Sequence, residues 1–193
     1  MTEAQLVRSQ HRIACMSDSS LRTLFTAQQI QKRIQEMGAQ IDKDYADGSL
    51  HLVCILKGAC FFLADLARAI QRDVVIDFIG ISSYGRGKTT SGAVKLTKDL
   101  DMAIEGADVL LVEDIVDSGV TLTYLVNVLQ QRKPRSVRIA ALLDKPDRRQ
   151  RPVKVTYVGF QIPDEFVVGY GLDYAEQYRN LRDVCVLEGP QVA

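Results

Sequence analysis

Apolar positions along the chain fall into two alternating rhythms. Ile30, Ile34, Met37, Ile41 and Tyr45 recur at helical spacing behind Thr26 and Gln29, which match a capping box, so an amphipathic helix is predicted from Thr26 to near Asp47-Gly48. Leu50–Leu56 reads as a strand, Ala59–Ile70 as a helix and Val74–Ile79 as a second strand. Gly80–Gly92 is rich in glycine and hydroxyl residues with few apolar anchors; it is predicted to be a mobile loop, with Val94–Leu96 as a returning strand. Three elements follow: a strand at Val109–Val112, a helix over Thr121–Gln131 stopped before Pro134, and a strand at Val137–Leu143. The polar run Asp144–Pro152 reads as a surface loop, and Val153–Tyr157 and Val184–Leu187 as distal strands. Such alternation predicts an α/β domain, a mostly parallel sheet flanked by helices.

The sharpest break in this pattern is Val109–Thr123, VLLVEDIVDSGVTLT. Val109, Leu110, Leu111 and Val112 form a continuous β-prone run, as in a strand buried on both faces. Glu113 and Asp114 stand at its predicted carboxyl end, where open α/β sheets place ligands. Two adjacent acids repel unless cations or hydroxyl donors occupy them. Asp117, Ser118, Gly119, Val120 and Thr121 then lead into a helix whose free N–H groups and positive dipole suit a phosphate. Taken singly, these are a solvated acidic pair and an ordinary helix cap. In this order they present acids for a diol or metal beside amides for phosphate, as a ribose 5-phosphate requires.

Bulk properties narrow the picture. The 193 residues suffice for one well-buried domain and are few for two. With 24 basic and 24 acidic side chains there is no global charge to attract nucleic acid or an anionic membrane, and no apolar stretch approaches the roughly 20 residues that span a bilayer. The first 20 residues are broken by Glu3, Arg8, Arg12 and Asp18 and do not read as a signal peptide, so a cytoplasmic location is expected. Cys15, Cys54, Cys60 and Cys185 form no C-x-x-C pair, which speaks against zinc or structural disulfides. His11 and His51 are too isolated for a metal cage or a triad and read as surface or strand-edge residues.

Val112–Leu122, VEDIVDSGVTL, resembles the phosphoribosyl-pyrophosphate (PRPP) loop of the type I phosphoribosyltransferases. Leu56-Lys57-Gly58, Ser82-Ser83-Tyr84-Gly85, Leu142–Pro146 and the long segment Gly159–Tyr174 resemble, in order and spacing, the hypoxanthine (guanine) branch of that family, over about Thr26 to Leu187. The resemblance implies the type I fold, with a small hood formed by the terminal segments, residues 26–193 as one domain and residues 1–25 as an N-terminal extension.

It also implies roles. Asp117 would be the general base or acid facing the purine N7. Glu113 and Asp114 would meet the ribose hydroxyls, directly or through Mg²⁺, with Asp173 as a second magnesium ligand. Residues 117–121 would hold the 5′-phosphate, and Leu56, Lys57, Gly58 and Arg179 the pyrophosphate. Similar enzymes often carry a non-proline cis peptide at the first of these segments. Lys145 would donate to the purine O6, selecting 6-oxopurines over adenine; Phe166 would stack on the base and the Val167 main chain read its other edge. Ser83 and Tyr84 would belong to a lid loop that excludes water. The expected reaction joins PRPP to hypoxanthine or guanine, in a homodimer or homotetramer without nucleic-acid or membrane partners. Xanthine–guanine specificity, and a PRPP-sensing regulator that binds nucleic acid, remain the alternatives. Gly87-Lys88-Thr89 lacks the first glycine of a P-loop, and Gly85-Arg86-Gly87 the third glycine of a dinucleotide fingerprint.

Overall fold

A computed structural model describes residues 20–45, 48–83 and 94–189. The chain begins with β1 (Ser20–Phe25) and α1 (Ala27–Asp44), where Thr26 closes the predicted capping box with Gln29. β2 (Leu50–Leu56), α2 (Cys60–Ala69), β3 (Val74–Ser83) and β4 (Val94–Lys98) follow. The second half comprises β5 (Asp108–Val116), α3 (Val120–Gln130), β6 (Ser136–Asp144), β7 (Tyr157–Gln161), β8 (Val167–Val168) and β9 (Val184–Glu188).

Six strands form the main sheet in the order β4-β3-β2-β5-β6-β7, parallel throughout except for the β3–β4 pair. β2 and β5 send alternate apolar residues to opposite faces. Leu52, Cys54, Leu110 and Val112 pack under α1 and α2, while Val53, Ile55, Val109 and Leu111 pack under α3. Gly38 lets the two helices on the first face touch: a Cβ there would lie 2.6 Å from the Ala69 carbonyl oxygen. A separate three-stranded antiparallel sheet, β1-β9-β8, is the hood built from both chain ends. The expected domain start at Thr26 falls directly after β1, which pairs with β9 from Ser20 onward.

Chain order reverses between β2 and β5. From β2 the chain builds outward to β3 and β4, and from β5 outward to β6 and β7. The carboxyl ends of these two central strands flank the topological switch point, where an open α/β sheet leaves a crevice.

Several sequence expectations are corrected. β5 runs on to Val116, so Glu113 and Asp114 lie within the strand rather than at its end. Val153–Tyr157 is not a strand; β7 starts at Tyr157, and Val153 and Val155 are apolar because they pack against the α3-side core from a loop. β3 continues to Ser83 because β4 pairs with it. α1 ends at Asp44, short of the predicted Asp47-Gly48. His51 is neither superficial nor at a sheet edge, being enclosed in β2 between β3 and β5, with its Nδ1 buried and without a hydrogen-bond partner among the described residues. Asp144 and Lys145, assigned to a surface loop, are buried at the end of β6.

Candidate active site

The turn after β5 has the geometry of an anion cradle. Gly119, at φ 77°, caps the N-terminus of α3 in the left-handed conformation that glycine adopts without strain. Among the described residues, the N–H groups of Ser118, Gly119 and Thr121 donate to no protein acceptor, while the Ser118 hydroxyl accepts from the Val120 N–H at 3.4 Å. These groups, with Glu113, Ile115 and Asp117, line a cavity of about 90 Å³. A larger cavity of about 670 Å³ lies between α3 and residues 152–156 and contains none of the predicted site residues.

Glu113 lines the cradle cavity, and Asp114 follows it in β5. Burial pushes the Glu113 carboxyl well above the usual carboxylate range, and the neighbouring Asp114 charge pushes it the same way. Burial also raises Asp114 to about 6, against the lowering effect of the Ile115 N–H, which donates at 2.7 Å, and of Arg179. A pair so disfavoured as anions is suited to cations or hydroxyl donors. Carboxylate oxygens from Glu113, Asp114 and Asp173 match the hard-oxygen preference of Mg²⁺. Among the described residues no group of three or more His, Cys, Asp or Glu forms a ready cage, so an ion here would take its remaining ligands from water and substrate oxygens.

Opposite the cradle, the β2 turn comes close to these acids. The Leu56–Lys57 peptide is cis. A Cβ on Gly58 would lie 1.6 Å from the Asp114 Oδ2, and one on Gly171 would lie 2.0 Å from the Gly58 carbonyl oxygen, so the two glycines permit backbone contact beside a carboxylate. Lys57 Nζ reaches Glu176 at 3.1 Å in an exposed pair, a contact weak enough to be exchanged for an anionic ligand. Arg179 is more firmly placed, donating to Asp173 at 2.7 Å and to the Gly171 carbonyl oxygen at 2.8 Å. Its Nε is buried and has no partner among the described residues, an orphan donor beside the proposed leaving-group site.

On the third side, Lys145 directly follows β6, and its ammonium group lies 3.4 Å from Asp164 despite a residue exposure of only 8%. Arg148 bridges Asp164, at 3.4 Å, and Asp117, at 3.2 Å. Phe166 is 40% exposed and forms a T-shaped pair with Tyr174 at 5.6 Å. Val167 is held in β8 opposite Val186. A buried cation is thus paired with a carboxylate that Arg148 ties to Asp117 at the cradle.

The structure brings Glu113, in β5, together with Asp117, Ser118, Gly119 and Thr121 around one cavity, with Val120 donating to the Ser118 hydroxyl. Gly58, Asp114, Gly171, Asp173 and Arg179 form a second cluster through direct contact or charge. Tyr84, expected on a lid, lies outside the described residues, and Ser83 ends β3. Sequence reasoning missed Asp164, Glu176, Arg148 and Arg149, which pair with predicted site residues. The only signal for the two arginines was their place within the charged run behind Lys145.

Comparisons with known proteins agree with this geometry. The phosphoribosyl transferase domain family matches residues 20–175. The chain is 48% identical over 167 residues to the hypoxanthine-guanine phosphoribosyltransferase of Bacillus subtilis, covering 86% of this chain and 93% of that one. It is 51% identical over 171 residues to the Mycobacterium tuberculosis enzyme of the same name, covering 86% and 85%. A crystal structure of a hypoxanthine-guanine phosphoribosyltransferase from Bacillus anthracis, with a HEPES molecule in its active site, superposes with a TM-score of 0.83 at 46% identity, covering 86% of this chain and 99% of that one.

Proposed function

This chain belongs to the phosphoribosyltransferase family, and from that membership we infer a purine-salvage enzyme that transfers the 5-phosphoribosyl group of PRPP to hypoxanthine or guanine, giving IMP or GMP and pyrophosphate. The observation that carries the assignment of the site is the meeting, at one switch point, of an anion cradle and a buried acidic pair, with a buried lysine linked to the cradle through Asp164 and Arg148.

The 5′-phosphate rests against the Ser118, Gly119 and Thr121 N–H groups and the Ser118 and Thr121 hydroxyls. Glu113 and Asp114 accept hydrogen bonds from the ribose 2′- and 3′-hydroxyls and favour the positive charge that develops on the ring as the C1′–oxygen bond to pyrophosphate breaks. The Leu56-Lys57-Gly58 turn and Arg179 receive the departing pyrophosphate, and the unpaired Arg179 Nε supports that role. The purine stacks on Phe166 with its far edge toward the Val167 main chain. Lys145 donates to O6, a bond that the 6-amino group of adenine cannot accept. As the purine nitrogen bonds to C1′, Asp117 takes the proton released at the ring. Glu113, Asp114 and Asp173 would hold Mg²⁺, which supplies neutralising charge to the pyrophosphate when bound. Incubation of hypoxanthine and PRPP with Mg²⁺ tests the assignment: it should yield IMP and pyrophosphate in equal amounts, and no product from folded, PRPP-binding protein would favour the regulator.

The raised acids predict a pH dependence. A proton on Asp114 must leave before its carboxylate can serve ribose or Mg²⁺, so PRPP affinity should rise with pH through about 6, the value to which Asp114 is pushed. Below that, KM for PRPP should climb about tenfold per pH unit for one competing proton. The native state keeps this proton between the ordinary value of 3.8 and about 6, where the unfolded chain has lost it. Stability of the ligand-free protein should therefore fall as pH rises through the same window. Steady-state KM and thermal melts across the range check both signs; a flat KM would remove Asp114 from the site.

We further propose a cytoplasmic homodimer or homotetramer. The free thiols of Cys54, Cys60 and Cys185 support a reducing compartment, and the exposed apolar side chains of Phe61 and Ile76 support association.

A further inference from the structure

The charged run behind Lys145 lies against the underside of the phosphate loop. Arg149 forms an ion pair with the buried Asp144 at the end of β6, and its Nη1 donates to the Asp117 carbonyl oxygen at 2.5 Å. The next two residues continue the contact: the Gln150 and Arg151 N–H groups donate to the Ser118 carbonyl oxygen at 2.9 and 3.0 Å. Gly119 is pressed onto the same segment, since a Cβ there would lie 2.6 Å from the Arg151 carbonyl oxygen and 3.1 Å from Arg149 Cδ.

Peptide planarity gives these bonds a consequence. The C=O of one residue and the N–H of the next point in opposite directions across a trans peptide. Anchoring the Asp117 carbonyl outward therefore turns the Ser118 N–H inward, and anchoring the Ser118 carbonyl does the same for the Gly119 N–H. Those are two of the donors that face the cradle.

We propose that Arg149, anchored by Asp144, is a positioning residue for phosphoribosyl transfer: it holds the Asp117–Ser118 peptide so that the Ser118 N–H points at the 5′-phosphate. This rests on the phosphoribosyltransferase reading and extends it to a side chain that touches no substrate. Because the same segment carries Lys145, the purine-reading lysine and the phosphate loop are built onto one brace. Lysine in place of Arg149 keeps the charge pair with Asp144 but lacks the planar fork that reaches a second acceptor.

Calorimetric titration of IMP and, separately, of magnesium pyrophosphate into the parent protein, R149A, R149K and D144N tests the proposal. The brace acts on the side of the site that holds IMP and makes no contact with the pyrophosphate turn, and one charge-assisted hydrogen bond is worth about tenfold or more in affinity. R149A should weaken IMP about tenfold or more and leave pyrophosphate unchanged, with R149K and D144N intermediate in the same selective sense. IMP binding by R149A equal to the parent would overturn it, as would equal losses for both ligands, which signal general loosening. Should R149A not fold, the selectivity of R149K and D144N decides in the same way. A parent protein that binds neither ligand would indict the phosphoribosyltransferase reading itself.

Discussion

Asp117→Asn is expected to lower kcat for hypoxanthine by about 10²–10⁴-fold, the usual contribution of a positioned general acid or base. The substitution keeps the side chain's shape and its contact with Arg148, and leaves the backbone that faces the phosphate unchanged. KM for PRPP should therefore move little, and the variant should melt with the parent protein. The split between kcat and KM is the informative part, because a helix-capping aspartate would show its loss in stability instead. A kcat within a few-fold of the parent would place proton handling elsewhere, with Asp164, which shares Arg148 with Asp117, as the next carboxylate to test.

Gly58→Ala carries the second large effect. The added methyl carbon would start 1.6 Å from the Asp114 Oδ2, so either the pyrophosphate turn or the carboxylate must shift. A displacement of about 1 Å in a reacting assembly costs on the order of 10²-fold, and here both the leaving-group site and the ribose acids are disturbed. We expect kcat/KM for PRPP to fall by at least about 10²-fold. Gly106→Ala serves as the control for inserting a methyl group at a glycine, since a Cβ there meets nothing within 4 Å, although its φ of 70° costs some stability. Full activity in Gly58→Ala would show that the turn does not work against Asp114.

The central architecture was legible because two of its signals are local. The unbroken apolar run Val109–Val112 marked β5 as buried on both faces, Leu50–Leu56 read as a strand, and helical spacing of apolar residues marked the helices. The phosphate turn was legible only in combination: a glycine and hydroxyls at a helix start are an ordinary cap by themselves, and the acidic pair before them gave the phosphate reading. Burial that depends on distant parts of the chain was not legible. Apart from the family resemblance, Lys145 reads as a loop lysine because a charged run follows it; it is buried, and its ammonium pairs with Asp164, nineteen positions on. Arg149 looked like solvated charge for the same reason, as its partners are backbone carbonyls and Asp144 at a strand end. Val153 and Val155 misled in the opposite direction: their alternation records packing beneath α3, and period-two burial without a ladder partner is no strand.

Selectivity at the purine 6-position tests the central claim most directly. Pyrophosphate release would be measured with PRPP and Mg²⁺, offering hypoxanthine, guanine, xanthine and adenine separately. A site that hydrogen-bonds an acceptor at O6 through a buried lysine should turn over hypoxanthine and guanine and reject adenine by about 10⁴-fold or more in kcat/KM, and Lys145→Ala should remove most of that preference. Turnover of adenine comparable to hypoxanthine, or release from xanthine alone, would contradict the account.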